Sequence, residues 1–403
     1  MIPYADFLYF GISLYVLLPN FLLGWLKRVS KVWLVIATLA MLAVQYSVLQ
    51  NIFGDTATLE LWLVLGFGVL QYAVAGLFLL TRKRRKSKAL FYIALLFSLV
   101  PLLMAKFVPL FLSTYQLVFI GLSYVTFRCL DVIIGVYEGL IVTLPPVQYL
   151  VFLLFFPTIS SGPIDRYQRF IEDWKHDRTW SEFLKDLDSG VHHIFTGFLY
   201  KFIIATLIQT YWLSAVSTPR GALDVLSYMY GYSLFLFFDF AGYSAFAIGF
   251  SHMFGIHTPE NFNRPFVARD IRDFWNRWHI SLSSFFRDHV YNRFVFAALK
   301  GKWFKNKYVA SYLGFLISMG LMGLWHGTTW YYITYGLYHG VLLILTDVIG
   351  RWNKRKKLWD ENSVAYKVVS TFITVQLVCF GFLLFSGHFN PLSVINHHIF
   401  KLF

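Results

Sequence analysis

Apolar residues run along most of the chain in stretches too long for ordinary core helices. Stretches of spanning length fall at 7–26, 32–50, 60–80, 89–112, 114–137, 190–213, 226–251, 308–326, 329–350 and 363–386. Each is close to the roughly 20 residues that a helix needs to cross a hydrocarbon layer. Residues 144–164 (LPPVQYLVFLLFFPTISSGPI) are apolar too but carry four prolines. That is the pattern of a helix that enters the layer and stops, and irregular backbone at such depth has to be sheltered by protein or line a wet cavity. The pattern predicts an all-α polytopic membrane protein with about 10–11 transmembrane helices and some re-entrant pieces.

The polar gaps orient these runs. Lys27, Arg28 and Lys31 form one basic loop, Arg82 to Lys88 a second, and Arg351 to Lys357 a third; the NIFGDTATLE gap holds Asp55 and Glu60 and no base. The positive-inside rule then predicts an extracytoplasmic N-terminus, with the basic loops in the cytoplasm. The first apolar run starts without a basic segment and ends in Lys27 and Arg28, so it reads as a retained helix rather than a cleaved signal. Residues 165–189, which mix acids and bases with Trp174 and Trp180, read as helices on the cytoplasmic surface. Residues 259–307 hold ten Lys and Arg against four acids, interleaved with Phe274, Trp275, Trp278, Phe285, Phe286 and Tyr291. That stretch is too long and too aromatic for a mere connector. No repeat is visible, so 1–403 reads as a single integral membrane domain.

Composition agrees: 57% of the residues are hydrophobic and 14% charged, against about 25% charged in soluble domains. The net charge of +14 does not indicate nucleic-acid binding, because the bases fall in the gaps between apolar runs, where membrane topology accounts for them. Two cysteines, Cys129 and Cys379, lie far apart in sequence and exclude a disulfide framework or a multi-thiolate metal site.

From Tyr308 to Gly350 the one fully charged residue is Asp347. These residues predict an apolar hairpin broken at Gly327-Thr328-Thr329, with His326 at the turn, about 27 Å along an ideal helix from Tyr308. An ionisable group inside a membrane segment is costly and points to function; a neutral core histidine bonded to a backbone carbonyl is the plainer reading. His339 in the returning helix has the same formal claim. In DFWNRWHISLSSFFRDHVYNRFVF (273–296) a continuous helix would set His279 on one face with Trp275, Asn276 and Ser283, where an interfacial, solvated histidine is the default. Asp239, in FFDFAGYSAFAIG, is an acid inside an apolar run, either a relay residue or an anchor between helices. Phosphate-loop, H-E-x-x-H zinc and G-x-S-x-G signatures are absent.

Those same residues carry a resemblance. RDFWNRWHISLSSFFRDHVY, followed some forty residues later by GLWHG in an apolar hairpin, is similar to the membrane-bound O-acyltransferase (MBOAT) superfamily and, within it, to the branch that D-alanylates teichoic acids in Gram-positive bacteria. FFPTISSGPIDRYQRF (155–170), GFLYKFIIA (197–205), FFDFAGYSAFAIG (237–249) and ENFNRPF (260–266) support it in order along the chain. The resemblance implies a ring of helices around a central tunnel, lined in part by 259–307. His326 matches the superfamily's catalytic histidine and His279 a second active-site position, with Trp275, Asn276, Ser283, Trp325 and Asp239 as candidate tunnel residues. It implies an acyl donor carried as a thioester on the phosphopantetheine arm of an acidic carrier protein at the cytoplasmic face, with no tightly bound cofactor and no metal. Further membrane proteins of the D-alanylation system would sit on the outer face, with teichoic acid as acceptor. His326 would act as general base or as nucleophile. A polysaccharide (alginate-type) O-acetyltransferase of the same superfamily is the neighbouring alternative, and a transporter the distant one.

Overall fold

The structure, a computed structural model, describes residues 3–5, 7–25, 31–47, 56–111, 119–216 and 221–390. Lys27, Arg28, Asp55 and the start of the 114–137 run lie outside these residues. The described residues are helical, with one isolated β-bridge, and fall into two units: residues up to Gly197 with Tyr243–Pro259, and Phe198–Gly242 with Glu260 onward.

The first unit contains α1 (Phe7–Trp25), α2 (Lys31–Ser47), α3 (Thr56–Arg84), α4 (Lys88–Phe107), α5 (Leu122–Glu138), α6 (Pro146–Leu154), α7 (Tyr167–Lys175) and α8 (Trp180–Gly197). Arg82, Lys83 and Arg84 form the last turn of α3, where cations complement the helix dipole. At the start of α4, Ser87 Oγ accepts from the Leu90 amide and satisfies a first-turn donor. The interrupted 144–164 segment folds as α6 and a 3-10 turn, Phe156–Thr158. The buried Arg128 guanidinium of α5 donates to the carbonyls of Phe152 at 3.1 Å, Leu153 at 3.0 Å and Thr158 at 2.7 Å. One side chain thus satisfies helix-end carbonyls that water cannot reach, and α6 can stop inside the protein.

The second unit begins with π-helical segments Phe198–Ala205 and Ile208–Leu213, and takes the first part of α9 (Ala222–Met253). It continues with α10 (Ile271–Trp275), α11 (Ile280–Phe286), a π-turn at Arg287–Tyr291, α12 (Asn292–Lys300), α13 (Lys307–His326), α14 (Trp330–Lys356) and α15 (Val364–Phe385). α13 and α14 form a close hairpin with its break at 327–329. A Cβ added at Gly336 would stand 2.3 Å from the Met319 carbonyl oxygen, and one at Gly323 would stand 2.4 Å from that of Tyr332. Only glycine permits this approach, and it fixes where the last turn of α13 lies. At the other end of the hairpin, Arg351 lies 3.7 Å over the Tyr308 ring and bonds Asp347, which also pairs with Arg272.

Among the described residues, eight helices are long and apolar enough to cross a membrane. Eight of the ten predicted runs are represented among them, and the other two extend into residues outside those described. The 32–50 run yields a shorter apolar helix, Lys31–Tyr46. The 114–137 run yields α5, which carries Arg128, Asp131 and Glu138 and is buried along most of its length. The expectation for 165–189 also changes: Tyr167–Lys175 is a separate amphipathic helix, but the helix from Trp180 runs on without interruption to Leu213. Faces of the long helices expose apolar side chains at helical spacing, such as Val364, Val368 and Phe372 on α15. A soluble protein would cover such stripes; lipid does so here.

Candidate functional site

His279 is positioned by a break, not by a continuous helix. The predicted helical face fails: α10 ends at Trp275, and His279 itself is left-handed at φ 43°, ψ 53°, immediately before α11. That backbone costs a non-glycine residue about 1–2 kcal/mol, so its surroundings must hold it. The stretch 261–263 does so. Ile280 N–H donates to the Asn261 carbonyl at 3.0 Å and Asn263 N–H to the Arg277 carbonyl at 2.9 Å, around the bridge between Phe262 and Trp278.

The Asn261 side chain completes the clamp. Its Oδ1 accepts from Ser281 Oγ at 2.6 Å and from the Ser281 amide at 3.3 Å, and stands 3.3 Å from His279 Nδ1. An amide nitrogen of the backbone can only donate, so the Ser281 contact fixes which end of the Asn261 amide faces His279. The proton of His279 therefore sits on Nδ1, and Nε2 carries the lone pair. Burial, and secondarily the neighbouring His326, push the His279 pKa well below its usual value. Both effects favour the neutral imidazole, and with the proton on Nδ1 its Nε2 is an acceptor.

His326 is the last residue of α13 and half-buried. Its ring packs 4.9 Å from Phe385, nearly perpendicular, and 4.5 Å from Trp325, which lies 6.4 Å from His279. Both histidines line one cavity of about 50 Å3. Six aromatic rings, those of Phe240, Trp275, Trp278, Tyr335, Phe382 and Phe385, form most of its wall, and Leu236 and Leu282 complete it. Two imidazoles in an apolar, largely desolvated cavity can accept and return protons with little competition from water.

The remaining sequence candidates separate. Trp275 lines the cavity, with a buried indole N–H that has no acceptor. Asn276 does not line it: its Oδ1 accepts from Arg287 at 3.4 Å. Ser283 does not line it either, and donates to the Trp278 carbonyl at 3.1 Å. Trp325 contacts both histidines from beside the cavity. Asp239 is ion-paired with Lys201 of the π-helical segment Phe198–Ala205, which makes it an anchor between helices. His339 is fully buried, with neither ring nitrogen hydrogen-bonded, between Tyr335 at 4.7 Å and Trp275 at 5.2 Å. It packs behind the aromatic wall. Sequence reasoning missed Asn261, Phe240 and the C-terminal rings Phe382 and Phe385. Only Asn261 carried a signal, as a polar residue beside Phe262 in ENFNRPF.

Helices of spanning length and a cavity with two imidazoles define a polytopic membrane protein whose chemistry is suited to proton transfer during group transfer. The chain belongs to the MBOAT, membrane-bound O-acyltransferase family, whose sequence profile matches residues 21–387; it is a membrane acyltransferase. It is 42% identical to the teichoic acid D-alanyltransferase of Bacillus subtilis (strain 168), over 96% of this chain and 98% of that one. It is 40% identical to the teichoic acid D-alanyltransferase of Lacticaseibacillus rhamnosus, over 82% and 85% of the two chains. A probable alginate O-acetylase of Azotobacter vinelandii is 34% identical over 58% of this chain and 46% of its own.

Proposed function

We propose that the chain transfers D-alanine from a carrier-protein thioester to an extracytoplasmic hydroxyl, for D-alanylation of teichoic acid at the cell membrane. The observation that carries the reading is the pair His279 and His326 in one aromatic cavity. The full-length similarity to teichoic acid D-alanyltransferases supports D-alanyl over acetyl as the group transferred, since the alginate O-acetylase match covers less of both chains. The donor is the phosphopantetheine thioester of an acidic carrier. The excess of bases in 259–307 suits the steering of such a partner on the cytoplasmic side.

In this reading His326 is the general base. Neutral imidazole takes the proton of the acceptor hydroxyl while the oxygen attacks the thioester carbonyl. The C–O bond forms, the C–S bond breaks, and the imidazolium returns the proton to the departing thiolate. General-base catalysis contributes roughly 10²–10⁴-fold, and holding thioester and hydroxyl together in a dry site adds to it. His279, with Nδ1 committed to Asn261, acts as an acceptor that orients the donor rather than as a donor to the oxyanion. Further membrane proteins of the D-alanylation system would receive or pass on the acyl group outside.

The experiment supplies membrane vesicles that carry the chain together with the other membrane proteins of the D-alanylation system, and adds carrier loaded with D-alanine or with acetyl thioester. D-alanyl transfer to teichoic acid at the lumenal or outer side is expected. Acetyl transfer without D-alanyl transfer refutes this reading.

A further inference from the structure

The acyl group of a D-alanyl thioester differs from acetyl by an α-amino group that is cationic in neutral water. Such a cation entering an apolar cavity must find compensation there. Among the ten residues that line the cavity none carries a carboxylate, so an ion pair within that wall is excluded. What the wall offers instead is π faces and the lone pairs of two imidazoles, of which that of His326 serves the acceptor hydroxyl. The rings are mutually inclined: Phe240 to His279 at 81° and 4.7 Å, Trp278 to Phe382 at 45° and 4.7 Å, Tyr335 to Phe385 at 65° and 5.1 Å. Inclined rings bound a small space with faces as well as edges. Aromatic faces attract cations through the ring quadrupole, tryptophan most strongly, and the attraction grows when water is excluded.

We propose that this cavity is an ammonium subsite: it holds the acyl group of an aminoacyl thioester by its α-ammonium, against the faces of Trp278 and Phe240, with His279 Nε2 accepting one N–H. The proposal rests on the D-alanyl-transfer reading and adds its basis of selectivity. The arrangement has a chemical consequence. A carboxylate here would favour imidazolium at both histidines, whereas a bound cation opposes it, so selecting the substrate through π faces keeps the histidines in the neutral form that a base and an acceptor require. The same wall gives acetyl or another amine-free acyl group nothing in exchange for the lost ammonium contacts.

The test compares two thioesters on the same carrier: D-alanyl, and isobutyryl, in which a methyl group replaces the ammonium at nearly the same size. Membrane vesicles carrying the full chain receive each labelled donor, and label is counted in the teichoic acid fraction. Wild type is expected to transfer D-alanyl at least about ten-fold faster than isobutyryl. Trp278→Leu is expected to narrow that preference about ten-fold, while Trp278→Phe, which keeps a ring face, retains most of it. Equal rates for the two acyl groups in the wild type overturn the subsite without need of any variant, as does a Trp278→Leu variant that slows both donors alike. Absence of transfer from either donor by the wild type contradicts the D-alanyl-transfer reading itself, and the subsite falls with it.

Discussion

Replacing Asn261 with alanine removes the side-chain part of the clamp around His279 and leaves its backbone bonds in place. Asn261 is fully buried, and Ser281 and His279 are 4% and 3% exposed. The substitution removes the 2.6 Å bond to the Ser281 hydroxyl and two longer contacts of 3.3 Å to the Ser281 amide and His279 Nδ1. A buried group left without its partner costs about 1–3 kcal/mol. With one strong and two weak contacts, the expected loss of stability is roughly 2–4 kcal/mol. The effect on activity exceeds the effect on folding, because His279 is released to rotate or change tautomer, and a misplacement of about 1 Å costs on the order of 10²-fold in rate. Two measurements check this: thermal unfolding of the detergent-solubilised protein, and D-alanine transfer from loaded carrier in vesicles. Asn261→Asp, which keeps the acceptors but adds a charge that favours imidazolium, should fold better than Asn261→Ala and still transfer poorly at neutral pH. An Asn261→Ala protein with unchanged melting and transfer within two-fold of wild type would refute the reasoning.

The hairpin gives a steric prediction. Gly336→Ala places a Cβ 2.3 Å from the Met319 carbonyl and should destabilise by about 1–3 kcal/mol, whereas Gly320→Ala, whose nearest neighbour is a Leu337 methyl at 3.4 Å, should melt like wild type. A third prediction concerns pH. Hydrogen bonds donated to Asp173 and then Asp186, opposed by partial burial, push His257 up to about 10, above an unfolded value near 6.5. Its contribution to stability is therefore complete below about pH 6.5 and disappears as pH rises through about 10. Melting temperature should fall more steeply over that window in wild type than in His257→Gln, and parallel curves would contradict the assignment.

Much of the fold was legible because length and apolarity suffice to mark a spanning helix. What the sequence hid were events decided by tertiary contacts. A stopped helix at 146–154 was visible in its prolines, but its dependence on Arg128 was not, since the partner sits on another helix. The polar first half of the helix from Trp180 to Leu213 resembles a surface element in sequence, although backbone hydrogen bonding has no reason to stop there. At the site, His326 stood out as a titratable group in an apolar hairpin, whereas His279 read as an interfacial histidine until the family resemblance drew it in. The face shared with Trp275, Asn276 and Ser283 was not, because nothing in NRWHIS announces a left-handed residue; histidine tolerates that conformation without requiring it. Asp239 read as either a relay or an anchor because an isolated acid in an apolar run is conspicuous, and its partner Lys201 lies 38 residues earlier.

The central claim is that His326 performs the proton transfer in D-alanyl transfer. The most direct measurement is the rate of D-alanine transfer from loaded carrier by His326→Ala, in protein shown by melting temperature to be folded. The account predicts a fall of at least about 10²-fold with melting close to that of wild type. A folded His326→Ala protein that transfers D-alanine at the wild-type rate would contradict it.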